Sequence, residues 1–170
     1  MYRHTLSTVA AVFLAAVVGA QGPKGPTAQQ QGELYKKNRP VIEKIVVKTI
    51  ESARTPGNHV TKANSYYEVL YKFSTEIDQA RQANEPDRVA DLARNLGTLL
   101  DKGLAPTLLQ ARAQVEGGTG VEEFVKVREQ LLAQLNALLD LLTDNAASKS
   151  SLDATKKRLT DVKIPEKRNH

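Results

Sequence analysis

The sequence predicts an all-α fold: an antiparallel four-helix bundle in up-down-up-down order, with a kinked third helix and a short fifth helix at the C-terminus. Three observations predict it. Apolar residues recur at spacings of three and four in four long stretches, which is the repeat of one helical face. Short clusters of breaking residues separate those stretches: Thr55-Pro56-Gly57-Asn58, Asn84-Glu85-Pro86-Asp87 and Gly117-Gly118-Thr119-Gly120. No stretch sustains the alternation of a strand, and no internal repeat is visible.

Residues 1–20 read as a cleavable export signal. Arg3 and His4 give a positive start, and Val9 to Val18 is an uncharged apolar run too short to cross a bilayer core of ~30 Å as a helix. Val18-Gly19-Ala20 then offers compact residues for a peptidase that would cut before Gln21. An uncut membrane anchor is the competing reading, and the length of the run argues against it. The expected location is extracytoplasmic, periplasmic or fully secreted. With no cysteine in the chain, neither a lipid-modified cysteine nor a disulfide is possible, so burial alone must hold the exported domain. Residues 21–32 are Gly, Pro and Gln with little to bury, and read as a flexible linker. Their two Gly-Pro-x triplets are too few for a collagen helix.

The expected helical domain spans 33–162. Its first helix runs from Glu33 or Pro40 to Arg54, with Leu34, Val41, Ile42, Ile45, Val46 and Ala53 on one side and Lys36, Lys37, Lys44, Lys48 and Arg54 on the other. Pro40 marks a kink or the true first turn, since it has no backbone donor. The second helix runs from about Thr61 to Asn84 and faces inward with Ala63, Tyr67, Leu70, Phe73, Ile77 and Ala80. The joint that follows is so short that helices two and three must be antiparallel neighbours, and Pro86 restarts the chain as a helix at once.

The third helix, Pro86 to Lys102, buries Val89, Leu92, Ala93, Leu96, Leu99 and Leu100. Lys102-Gly103-Leu104 has the form of a glycine cap, after which Ala105-Pro106 restarts or kinks the helix and carries Leu108, Leu109 and Val115 on to Glu116. Gly117 to Gly120 reads as a turn. It lacks the preceding strand and the Lys-Ser/Thr of a phosphate-cradling loop.

The fourth helix, Val121 to Thr143, carries a stripe of Phe124, Val127, Leu131, Leu135, Leu138 and Leu142. Val125, Leu132, Leu139 and Leu141 widen it to an apolar arc of ~200°, about twice what a surface helix needs. Such a helix is central in its own bundle or shared with a second copy. Asp144 to Ser150 reads as a polar joint, Ser151 opens a short basic helix ending near Val162, and residues 163–170 form a charged tail.

Charge is unevenly spread on this chain of formal charge +5. Residues 33–54 carry six basic and three acidic side chains, residues 149–170 seven and three, and residues 55–148 nine and thirteen. Terminal helices lying against central ones is the simpler explanation. A cationic face for anionic polymers or lipids is the sharper one.

Reactive chemistry fails on supply. The chain holds His4, His59 and His170, no cysteine, and Met1 as its one methionine. That leaves no usual zinc set, no carboxylate-and-histidine di-iron set and no haem attachment motif, so no metal and no cofactor is expected. No Gly-x-Ser-x-Gly elbow is present, and carboxylates as numerous as these arise by chance in any helical chain of this size. The locally unusual patch is Lys62-x-x-x-Tyr66-Tyr67-x-x-x-Tyr71-Lys72-Phe73, where basic and aromatic groups interleave. Tyr67 and Phe73 are expected in the core, with Tyr66 and Tyr71 flanking it, hydroxyls in water. The function these readings favour is an exported, non-catalytic interaction or scaffolding module that meets a protein partner or its own copy through the fourth helix. Its candidate contact surface is Val125, Leu132 and Leu139 with Tyr66 and Tyr71. A basic binder of anionic polymers or lipids at the cell envelope is the alternative, and an enzyme is the reading least supported. No specific nucleic acid is expected as a partner.

Overall fold

The computed structural model describes residues 27–54, 57–116, 118–142 and 146–165. The expected leader, residues 21–26 of the expected linker and the end of the charged tail lie outside them. The described residues form helices and no strand: α1 (Ala28–Arg54), α2 (His59–Gln82), α3 (Pro86–Leu99), α4 (Ala105–Val115), α5 (Val121–Leu141) and α6 (Ala146–Asp161). A π-helical segment, Leu100–Leu104, joins α3 to α4 without a break.

The helix boundaries follow from local hydrogen bonding. α1 begins at Ala28, earlier than the Glu33 or Pro40 its apolar pattern suggests. Thr27 caps it: Gln30 N–H donates to Thr27 Oγ1 at 3.3 Å, while Thr27 N–H donates to Gln30 Oε1 at 2.8 Å. This reciprocal box satisfies two donors that a helix start otherwise leaves orphaned. Pro40 then lies within the helix. α2 starts at His59, capped by Asn58, whose Oδ1 accepts from Thr61 N–H at 2.7 Å.

The α2–α3 joint is a complete left-handed stop. Asn84 has φ 55, Glu85 N–H donates to Ala80 O at 2.9 Å and Asn84 N–H to Arg81 O at 3.0 Å. Those are the paired bonds of a Schellman ending, with asparagine tolerating the left-handed position, and Pro86 opens α3 directly after it. Between α4 and α5, Gly118 and Gly120 take φ of +99 and +82, which L side chains rarely adopt. Gly120 O then accepts the first bond of α5, from Phe124 N–H at 3.0 Å.

Two further boundaries differ from expectation. Gly103 does not end a helix; it sits inside the π-helical segment without a left-handed φ. Tyr66 supplies the reason, since its ring packs where a Cβ at position 103 would stand. Pro106 cannot donate to the carbonyl four residues back, and the wider π register bridges this stretch, with Ala105 N–H reaching Leu100 O. α6 starts at Ala146 rather than Ser151, so residues 146–150 are helical and not a joint.

The core is one continuous cluster. Every residue of the expected α5 stripe, Phe124, Val127, Leu131, Leu135, Leu138 and Leu142, is buried, as are the six expected on α3 and the π segment. α2 is its centre, packing closely on α3, α4 and α5, and α6 packs on α3 and α5. α1 stands outside this set of close pairings. It contributes Ile45 to the core, with Val41 packed against it. The side chains of Val46 and Ala53, expected on the same face, lie outside the described residues. On α4, Leu108 and Val115 are buried and Leu109 is exposed.

Candidate interaction surfaces

A polar network joins α1 to the start of α3. Asn38 is fully buried on the seam Leu34-Asn38-Val41-Ile45, which steps by four, three and four. Its Nδ2 donates to Asp91 Oδ2 at 2.8 Å, and Arg88 Nε donates to its Oδ1 at 3.1 Å. Arg88 also reaches Glu76 at 2.9 Å and Glu85 at 3.3 Å, and Lys37 meets Glu85 at 2.6 Å. A buried amide with both ends satisfied fixes register, because sliding α1 by a turn strands it among apolar groups. The Lys37 hydrogen bond holds Glu85 below the usual carboxylate range, against the opposing effect of burial and with help from Arg88.

The C-terminal helix is tied down by similar means. Asp101 of the π segment accepts from Thr155 Oγ1 at 3.0 Å and pairs with Arg158 at 2.9 Å. Arg128 donates to Thr160 O at 2.7 Å and Arg112 to Lys163 O at 2.9 Å, capping carbonyls at the end of α6. The Arg158–Asp101, Lys37–Glu85 and Lys48–Glu68 pairs set basic residues of the terminal helices against acidic residues between them.

Of the five residues expected to form a contact surface, the structure leaves one well exposed. Tyr71 is 58 % exposed. Val125 and Leu132 are half-buried against the core, Leu139 is buried within it, and so is Tyr66. Tyr66 and Tyr67 exchange the places expected of them: Tyr67 is the exposed one. Both positions fit a helical step from Ala63, and the notch at Gly103 selects Tyr66. Its hydroxyl meets Thr107, whose own proton is committed to Gly103 O at 2.8 Å. Burial raises the Tyr66 phenol above its ordinary value.

A second surface was not singled out from sequence. Lys44 and Lys48 on α1 face Glu68 and Lys72 on α2, with Lys48 Nζ 3.1 Å from Glu68 Oε2 and Lys72 one turn beyond Glu68. Tyr67 and Tyr71 lie one turn apart on α2, adjacent in sequence to Glu68 and Lys72. The Lys48 ammonium, above all other causes, pushes Lys72 below the ordinary lysine range. The signal was present in the spacing Lys44-x-x-x-Lys48 and Glu68-x-x-x-Lys72, but nothing in one sequence says which two helix faces meet.

No family model, curated protein or solved structure matches the chain. Its surfaces therefore have to be read from their own chemistry. Among the described residues, no group of three or more His, Asp or Glu gathers as a metal site would, and no helix is long and apolar enough to cross a membrane. A shallow open groove lies between Val121, Val125 and Glu129 of α5 and Ile164-Pro165 after α6.

Proposed function

We propose that this chain is an exported, non-catalytic helical module that works by contact, and that its contact face lies on α1 and α2. The observation that carries this is the division of the apolar surface. The leucine arc of α5 is largely covered within the chain, whereas among the described residues four of the six exposed large apolar side chains, Tyr35, Val47, Tyr67 and Tyr71, sit on α1 and α2. Tyrosines suit a contact that forms from water, since the ring buries area while the hydroxyl keeps a polar partner.

The finer architecture we infer is the antiparallel up-down-up-down order with a kink in the third rod. Support comes from the two tight joints at Ala83–Glu85 and around Gly118 and Gly120. Lys48–Glu68 on α2 and Lys37–Glu85 at the joint after it also set α1 against the α2 rod in opposite chain order. The π segment followed by Pro106 is where a kink has a physical cause. Close packing of α6 on α3 and α5 supports its membership of the four-rod unit, with α1 as the outer fifth helix.

Two experiments test the reading. Mass spectrometry of the native protein should find Gln21 at the amino terminus, and an intact Met1 start would overturn export by cleavage. A photoreactive phenylalanine at position 67 or 71 should yield specific adducts in the native host, and the same probe at Leu109 should not. Equal adducts at all three positions would overturn the α1–α2 assignment.

A further inference from the structure

We propose that Lys44, Lys48 and Lys72, edged by Tyr67 and Tyr71, form a binding site for a linear carboxylated polysaccharide; this rests on the contact reading and names its partner. The geometry is a convergence of ammonium groups from two helices. Lys44 and Lys48 are one turn apart on α1, roughly 6 Å along its axis. Lys72 stands one turn beyond Glu68 on α2, and Glu68, a carboxylate within the group, meets Lys48 across the two helices at 3.1 Å. Folding thus holds like charges together at a cost that an arriving anion would relieve. The lowered proton affinity of Lys72 reports the same repulsion.

The composition of the cluster selects among polyanions. All three cations are lysines, which act as point charges, and none is an arginine with the planar fork that suits bidentate phosphate recognition. Glu68 lies inside the group and would repel a dense phosphate backbone or a flat anionic bilayer. A sugar chain with carboxylates set apart by hydroxyls suits both features, because carboxylates meet the ammonium groups while a hydroxyl donates to Glu68. Tyr67 and Tyr71 add exposed ring surface at the border for the apolar faces of sugar rings.

The test titrates the full chain with a size-defined oligogalacturonate, followed by calorimetry at several salt concentrations. Three neutralised contacts give a log–log salt slope of about −2 if each counts as on a single strand, hence roughly 15- to 20-fold weaker binding at 200 than at 50 mM salt. Lys44→Gln with Lys72→Gln should weaken binding at least tenfold while circular dichroism stays unchanged. Lys156→Gln with Lys157→Gln, on α6, should leave it intact. Equal loss in both variants would mean net charge and not this site, and would overturn the proposal. Tighter binding to an oligothymidylate or to phosphatidylserine vesicles would overturn it in favour of nucleic acid or membrane. No oligogalacturonate binding alongside specific adducts at position 71 would sink the polysaccharide and spare the contact reading. The absence of both would sink the two together.

Discussion

The ring of Tyr66 packs against Gly103 so closely that a Cβ built at Gly103 would stand 3.0 Å from its Cε1 and Cζ and closer still to its hydroxyl. That one contact explains why a glycine occupies the middle of a helical rod, why the rod passes through it without ending, and why Tyr66 is buried in place of Tyr67.

Gly103→Ala should therefore destabilise the protein. In an ordinary helix the change is favourable by ~1 kcal/mol, but forcing a methyl group into a filled space costs ~1–3 kcal/mol. Tyr66→Phe removes the nearest atom, so Gly103→Ala should cost less in that background than alone. Urea titrations of the single and double variants check this. A stabilising Gly103→Ala would show that Tyr66 is free to swing away.

Asn38→Ala should loosen α1 ahead of the rest. The change removes the bond that Asn38 donates to Asp91 and the one it accepts from Arg88, and stranding such groups costs ~1–3 kcal/mol. Because α1 lacks close backbone packing on its neighbours, the loss should concentrate there. Hydrogen exchange read by peptide should speed up across 34–49 and change little across 66–80. Uniform acceleration would make α1 an integral part of the core.

The helical class and the inward faces of α3 and α5 were legible because long, strongly periodic apolar stretches leave no competing repeat. Tyr66 against Tyr67 was not, since both satisfy the period and the deciding notch lies 37 residues beyond Tyr66, at Gly103. The start of α1 could have been read from Thr27-x-x-Gln30, a capping box hidden in a segment whose glycines and prolines suggest a tether. Asn38 on an otherwise apolar seam was equally visible, but its partners, Arg88 and Asp91, are fixed only by tertiary structure. The same limit hid the lysine cluster.

Two titrations should act in opposite parts of the pH range. Glu85 is held below its ordinary value of 4.5, so its contribution is present above that pH and is lost as pH falls through the lowered value. Glu85→Gln should flatten the acid limb of a stability profile. Lys72 is held below its ordinary value of 10.5, so the unfolded chain binds more protons and stability rises as pH climbs from the lowered value towards 10.5. Lys72→Gln should abolish that rise. Thermal melts across pH 3 to 11 decide both, and an alkaline rise that persists without Lys72 would assign it elsewhere.

The last prediction concerns what covers the α5 arc. Leu139 is buried and Val125, Leu132 and Leu141 are half-buried, although that arc is wider than a core-facing stripe of ~100°. α6 is one of the helices packed closely on α5, and it buries Leu152 and Leu159 of its own, with Val162 buried just after it. Leu159→Ala should accordingly cost ~2–5 kcal/mol, as other large-to-small core changes do. A chain ending at Asn145 also loses the Thr155 and Arg158 contacts to Asp101. It should expose a contiguous apolar patch, which in water seeks cover. Light scattering should find the full chain monomeric and the shortened chain self-associated, through a two-fold contact in which one patch meets its own copy. A full chain that is already dimeric would mean that a second copy completes the arc. Monomers in both cases, with equal melting temperatures, would mean that α6 is not the cover, and the surplus leucines would have to be accounted for by α2 and α4 alone.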